Sequence, residues 1–409
     1  MVKRPLHAVL LPWVTSGGRL AELLAAALDG SGPAILPLDP DLPRARLTGI
    51  LEAFAPGAVE TADGVFPGLP GTPPGPDPAP VADGTAVVIA TSGSTGQPKG
   101  VELSAPALLH SARASLARVG AAAGERWLCC LPTTHIAGIQ VLIRSIVSET
   151  EPVVAGRLDA DVMNASGCAH VSIVPTQLRR LLAGERPPSA WAGGFRSVLL
   201  GGAAAPAGLV GAARDAGIPV VTTYGMSETC GGCVYDGVPL DGVSAAPGDD
   251  GRIRITGPVL FSGYRLRPDL SMAALDGAWF VTSDLGAVDP SGRLTVRGRA
   301  DDVINTGGEK VVAAEVAAAI ETCPGVREAA VVGRPDAEWG ERVTAVVVPA
   351  DPADPPSLDL LCRHVLERLP RYAAPRELVL LDALPMLPSG KPDLEALRRE
   401  QSRAENVTR

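Results

Sequence analysis

Aromatic side chains are scarce in this chain of 409 residues: phenylalanine, tryptophan and tyrosine together make 3%. Alanine and valine must therefore do most of the packing, and a hydrophobic fraction of 46% leaves ample material for real cores. A basic excess is also missing. The formal net charge of −9 argues against a nucleic-acid or anionic-membrane footprint. No apolar run reaches the ~18 residues that a membrane helix needs. The apolar stretch 8–13, behind Lys3 and Arg4, is too short for a signal peptide and contains a proline. A disulfide framework is lacking too. Cysteines 129, 130, 168, 230, 233, 323 and 362 are odd in number and scattered, which fits free thiols in a reducing compartment. These absences leave a cytoplasmic globular protein as the expectation. The length suggests roughly two to three domains of ~150 residues.

What is present is first of all a loop. Residues 91–100 read Thr-Ser-Gly-Ser-Thr-Gly-Gln-Pro-Lys-Gly and follow a strand-like apolar run at 86–90. Glycines let the backbone approach a ligand closely. Free N–H groups and hydroxyls donate hydrogen bonds, and Lys99 adds a point charge. Such chemistry suits a polyphosphate. The pattern is not a Walker A loop, because Gly100 stands where a magnesium-binding Ser or Thr belongs. A plain surface turn is the competing reading.

Along the chain, helices are expected at 18–28 and 43–54. Residues 64–84 hold seven prolines and five glycines, which excludes helix and central strand and marks an extended connector. Ser104 is placed to cap a helix with a proline in its first turn. Strand-like runs follow at 127–131, 151–155, 169–174, 197–200 and 219–223, separated by short helical stretches. That alternation implies a mostly parallel sheet covered on both faces, with ligands at the carboxyl ends of the strands. The loops at 91–100, 132–138, 201–206 and 224–229 all fall there. From 249 to 299 the chain turns β-rich. Beyond it, helices at 313–322 and 358–369, strands at 328–332 and 344–349, and a polar helix at 393–400 suggest a smaller segment.

Five motifs then stand in one order: TSGSTGQPKG at 91–100, YGMSET at 224–229, TSDLG at 282–286, GRADDVINTGGEK at 298–310 and LPSGK at 387–391. Together they resemble the adenylate-forming superfamily of acyl-CoA synthetases, adenylation domains and firefly-type luciferases. The resemblance covers the chain from about residue 85 to 400. It implies an α/β fold: a large N-terminal domain, 1–298, with mostly parallel sheets covered by helices plus a β-rich subdomain. A small mobile α+β C-terminal domain, 299–409, follows on a hinge near Asp301. It also implies an ATP-dependent ligase that makes an acyl-adenylate from a carboxylate and MgATP, then joins the acyl group to the thiol of coenzyme A.

Residue by residue, the resemblance implies that Ser92, Thr95, Gly96 and Lys99 hold the β- and γ-phosphates. Gly201, Gly202 and Ala203 lie beside the adenine, against which Tyr224 packs. Ser227 bonds phosphate oxygens and Glu228 ligates Mg2+, a hard cation suited to oxygen donors. Asp284 accepts the ribose hydroxyls, as an acceptor-only group can, and Arg299 supports the ribose and phosphate side. Lys391 reaches the carboxylate and α-phosphate in the first half-reaction. Rotation at Asp301 then brings Gly308 to the pantetheine channel. Taken one at a time, several of these positions read equally as turns or solvated loop residues.

The stretch 131–144 and the ending SGKPDLEAL resemble the menaquinone-pathway branch of the family, whose acid carries two carboxylates. Arg144 is then the candidate for holding the distal one, because its planar fork can bind a carboxylate bidentately. The competing reading is a wet helical stripe of Gln140, Arg144 and Ser148 at four-residue spacing. His135 is placed at the acyl or thiol entrance. Cys230-Gly-Gly-Cys233 overlaps the nucleotide motif and reads as small residues lining the acyl pocket, since one pair without further ligands is a weak metal signal. A ligase for another aryl or acyl acid, and a non-catalytic nucleotide-binding relative, are the alternatives. The expected partners are thus a small carboxylic acid, ATP and coenzyme A, without nucleic acid or an integral membrane segment. Whether the chain forms a homo-oligomer is left open.

Overall fold

The computed structural model describes residues 4–72, 75–92, 98–387 and 392–404. The chain divides into two compact units. One comprises Met1–Gly202, Ala212–Ala245 and Ile255–Val281; the other comprises Ala203–Gly211, Ala246–Arg254 and Thr282–Arg409.

The first unit is built on two seven-stranded sheets. Across the first, the strands run Gly263–Tyr264, Pro98–Ser104, Thr85–Ser92, Ala34–Pro37, Leu6–Val9, Ala58–Thr61 and Gly64–Phe66. Its four middle strands pair in parallel, as a sheet buried on both faces prefers. Within the proline-rich stretch, Gly64–Phe66 forms an antiparallel edge strand, where missing donors are tolerated. Side chains alternate across this sheet. Leu6, Ala8, Leu36 and Val88 face the helix Arg44–Phe54 through Leu47, Ile50 and Phe54.

Across the second sheet the strands run Val238–Pro239, Gly231–Tyr235, Val220–Met226, Ser197–Leu200, His170–Ile173, Trp127–Cys129 and Val153–Val154. Five are parallel and the first two antiparallel. Helices Gly17–Asp29, Ala105–Arg118 and Ile136–Val147 pack on one another, the first two against the first sheet and the third against the second. The alternating pattern read from the sequence is therefore correct, and the strand ends differ from it by at most three residues, with 197–200 matched at both ends. Ser104 caps its helix as expected, its hydroxyl accepting from the Ala107 amide at 3.3 Å.

In the second unit, Val326–Asp336 and Gly340–Pro349 form a long antiparallel hairpin. Val331, Val343, Ala345 and Val347 cover one core with Val316, Ile320, Leu361 and Val365 of helices Ala313–Glu321 and Leu358–Leu366. Val332, Val346 and Val348 face the opposite way, toward Leu384 and Leu397. Period-two alternation thus gives this sheet two apolar faces, each with its own cover.

Candidate active site

The hydroxyl-rich motif begins and ends on two paired antiparallel strands. Thr91 pairs with Lys99 and Ser92 with Pro98, and the Thr91 hydroxyl donates to the Lys99 carbonyl at 3.2 Å. Thr95 and Gly96 lie outside the described residues, and only the backbone of Ser92 is described. Lys99 leaves the hairpin with its ammonium 5.4 Å from the ring centroid of Tyr264, within cation–π range.

Tyr264 belongs to none of the five sequence motifs. It stands on the two-residue strand Gly263–Tyr264, which pairs with Glu102 and Val101 on the strand that carries Lys99. The register is locked by the next residue. The Arg265 amide donates to the Gly100 carbonyl at 2.7 Å, and its buried guanidinium donates to the Phe54 and Pro80 carbonyls and to Glu102 at 2.6, 3.1 and 3.1 Å. A buried cation so satisfied fixes the strand tightly.

The third piece is the end of strand Val220–Met226. Its register with Gly231–Tyr235 shifts between Tyr224 and Gly225, a bulge of the kind that re-aims side chains. The chain then makes one 3-10 turn, Ser227–Thr229. Thr229 is fully buried; its hydroxyl accepts from the Met226 amide at 2.9 Å and reaches the Gly231 carbonyl at 2.8 Å. This holds Ser227 and Glu228 out at the strand end. Glu228 is half-buried, and its Oε1 accepts from the Tyr264 hydroxyl at 2.8 Å. Burial first, and the Glu228 charge second, push the Tyr264 phenol well above its ordinary pKa. It therefore stays protonated and donates. The Glu228 carbonyl also accepts from the Phe261 amide at 2.9 Å. Lys99, Tyr264 and Glu228 are thus brought into one polar cluster.

Gly201 and Gly202 follow the neighbouring parallel strand Ser197–Leu200, and the Gly201 amide donates to Ile173 at 3.1 Å. Half-buried Tyr224 lies on the adjacent strand. Ala203 belongs to the second unit.

That second unit holds its own cluster. Asp284 and Arg299 face each other on antiparallel strands, 3.5 Å apart, and Arg299 also pairs with Asp301 at 2.7 Å. The Asp284 amide donates to the Thr282 hydroxyl at 3.0 Å, which steadies the carboxylate's backbone. Gly307 and Gly308 have φ of 59° and 86° and make the tight turn between Val303–Thr306 and Glu309–Val312. Such a turn wants two residues with positive φ. Lys391 lies outside the described residues.

His135 is exposed at the N-terminus of helix Ile136–Val147. That helix does not present a wet stripe. Gln140, Arg144 and Ser148 are 3%, 5% and 9% exposed. Arg144 donates to the hydroxyls of Ser115 and Ser172 at 3.1 and 3.0 Å, and its guanidinium lies 4.3 Å from the Trp127 ring centroid. Its Nε meets no acceptor. His170 stacks on Trp127 at 4.7 Å and bonds Ser197 and Glu125. Cys230 and Cys233 are buried, and desolvation pushes Cys233 up to about 12, so neither is poised for redox or metal chemistry.

Among the described residues no group of three or more His, Cys, Asp or Glu could cage a metal. A cation at Glu228 would take one protein carboxylate and complete its shell with phosphate and water oxygens. That donor set fits Mg2+, which is usually held in this way.

A strand of a helix-covered parallel sheet thus ends in a Ser-Glu turn beside a lysine-bearing hairpin, the arrangement that the resemblance read from the sequence motifs implies. Comparison with known proteins agrees: the chain belongs to the AMP-binding enzyme family, which matches residues 25–265, and the family's C-terminal domain matches residues 315–391. A probable 2-succinylbenzoate–CoA ligase of Mycobacterium tuberculosis is 45% identical over 332 residues, spanning 78% of this chain and 85% of that one. The 2-succinylbenzoate–CoA ligase of Bacillus subtilis is 34% identical over 335 residues, 76% of this chain and 68% of its own. The solved structure of o-succinylbenzoate CoA synthetase from Bacillus subtilis, in complex with its acyl-adenylate intermediate, superposes with a TM-score of 0.81 at 28% identity. It covers 97% of this chain and 89% of that one. ATP-bound MatB of Rhodopseudomonas palustris, 22% identical, shares the fold with a TM-score of 0.83, covering 100% of this chain and 90% of its own. The chain is an adenylate-forming ligase.

Proposed function

We propose that this ligase activates 2-succinylbenzoate as its acyl-adenylate and passes the acyl group to coenzyme A. The observation that carries this reading is the 45% identity to the mycobacterial relative, which extends over most of both chains.

The chemistry requires two anions, a carboxylate and the α-phosphate of ATP, to meet. Lys99, with Ser92, Thr95 and Gly96, holds the β- and γ-phosphates that leave as pyrophosphate. Ser227 donates to phosphate oxygen, and Glu228 would hold Mg2+, which would neutralise phosphate charge. Gly201, Gly202, Ala203 and Tyr224 form the adenine side. Asp284 accepts from the ribose hydroxyls, with Arg299 holding that carboxylate in place. Lys391 stabilises the charge that develops as the carboxylate attacks, a role commonly worth a factor of ~10²–10³. A hinge at Asp301 then changes a few backbone angles so that the thiol approaches past Gly308. Arg144 supplies a cation for the second carboxylate of the acid: it is buried, its bonds go to neutral hydroxyls, and no carboxylate ion pair to it is found among the described residues. Protein polar groups alone leave such a charge costly.

The test is pyrophosphate release measured across a panel of acids. 2-Succinylbenzoate should give the highest kcat/KM. A monocarboxylic aryl or fatty acid that outpaces it would remove the substrate assignment while leaving the ligase class intact.

A further inference from the structure

We infer that Tyr264 is a positioning residue that couples the phosphate lysine Lys99 to the carboxylate of Glu228. The inference rests on the adenylating role proposed for those two residues.

Four observations converge on it. The hydroxyl of Tyr264 donates to Glu228 Oε1 at 2.8 Å, while its ring faces the Lys99 ammonium at 5.4 Å. One side chain thus meets both groups, Glu228 by its hydroxyl and Lys99 by the face of its ring. The segment around it is fastened to both elements by backbone as well. The Phe261 amide bonds the Glu228 carbonyl at 2.9 Å, the Ser262 amide bonds the Glu102 carbonyl at 2.9 Å, and the Arg265 amide bonds Gly100 at 2.7 Å. The ring is braced by Phe261 at 5.0 Å in an edge-on contact. The Arg265 clamp then ties the whole segment to the carbonyls of Phe54 and Pro80, more than 180 residues away in sequence.

The physical consequence is a shared geometry. A half-buried carboxylate left to rotate presents its oxygens to a cation in many orientations. One donated hydrogen bond removes most of that freedom and would leave the other oxygen for a cation. The ring meanwhile limits where the Lys99 ammonium rests. Phosphate and metal sites are therefore set by the same side chain, and their energies should be coupled.

The experiment is calorimetric titration of the full chain with ATP, once with Mg2+ and once with EDTA, on wild type, Tyr264→Phe and Tyr264→Leu. Thermal melts of each variant accompany it. Tyr264→Phe keeps the ring and removes the donor. It should bind ATP as wild type does in EDTA and lose about tenfold of the gain that Mg2+ provides, the scale of a hydrogen bond to a charged group. Tyr264→Leu also removes the ring and should weaken binding in EDTA, an effect that disappears when Lys99 is already alanine. A wild-type magnesium gain in Tyr264→Phe would overturn the inference. So would a loss of fold in both variants, which would assign Tyr264 to the core. Failure of the wild type to bind ATP at all would instead contradict the ligase reading beneath it.

Discussion

The hydroxyl of Tyr264 meets the carboxylate of Glu228 at 2.8 Å across a separation of 36 residues in sequence. The contact joins the end of a strand in the second sheet to an edge strand of the first.

The bulge that aims Glu228 depends on Gly225. A Cβ added there would lie 2.0 Å from the Gly231 carbonyl oxygen and 2.7 Å from the Gly232 Cα, all backbone that cannot rotate away. Gly225→Ala should destabilise the protein by roughly 2–3 kcal/mol, the scale of an overpacked core, and should weaken ATP binding in Mg2+ beyond what the fold loses. Chemical denaturation and calorimetry on the same variant separate the two. Unchanged stability would show that the strand pair has room to part.

Arg144 is assigned to the distal carboxylate of the acid. Arg144→Ala should raise KM for the diacid about tenfold or more, with KM for ATP nearly unchanged. The hydroxyls of Ser115 and Ser172 also lose their donor, so the melting temperature should fall. A lower melting temperature with wild-type KM for the acid would give Arg144 a purely structural part.

Stability should fall with acid in two windows. His170 is buried, and desolvation, partly offset by Glu125, lowers its pKa below 6.5. The unfolded chain therefore takes up a proton that the folded one resists, and stability declines as pH drops through about 6.5. Glu125 is held down to about 2 by the Ala122 amide first, then by Arg196 and His170, against an ordinary 4.5. Its contribution is complete above 4.5 and is lost as pH falls toward 2. Denaturation midpoints from pH 8 to 3 should show both slopes. His170→Asn should flatten the upper one, and a profile unchanged by it would contradict the assignment.

Lys391 is assigned to the adenylating half-reaction alone. Lys391→Ala should slow acyl-adenylate formation by ~10²–10³ and spare thioester formation from supplied adenylate. Equal loss of both steps in single-turnover assays would refute two conformations with separate chemistry.

Much of this architecture was legible in the chain. Strand-like runs before glycine-rich loops announced the parallel sheet, because a buried strand needs apolar side chains on both faces. Ser104 showed its cap through local chemistry alone. Tyr264 and Arg265 did not show themselves. In sequence they are a tyrosine and an arginine in a turn-rich segment. Their partners, Glu228, Phe54 and Pro80, lie 36, 211 and 185 residues away. Only pairing of the short strand with Val101 and Glu102 brings them together. The Gly-Tyr-Arg run before a helix-starting proline was the one local hint, and it indicates an edge strand without saying what the tyrosine touches. The competing reading of Gln140, Arg144 and Ser148 as a wet stripe fails for a related reason. Polar residues at four-residue spacing describe a face of a helix, and whether that face meets water depends on Ser115, Ser172 and Trp127 from other elements.

We propose that this ligase makes an adenylate of 2-succinylbenzoate. The most direct test is mass spectrometry of the protein incubated with that acid and MgATP, with and without coenzyme A. Without the thiol, 2-succinylbenzoyl-adenylate should accumulate at the enzyme; with it, the coenzyme A thioester and AMP should appear in equal amounts. An adenylate formed from a different carboxylic acid, with none from 2-succinylbenzoate, would contradict the account.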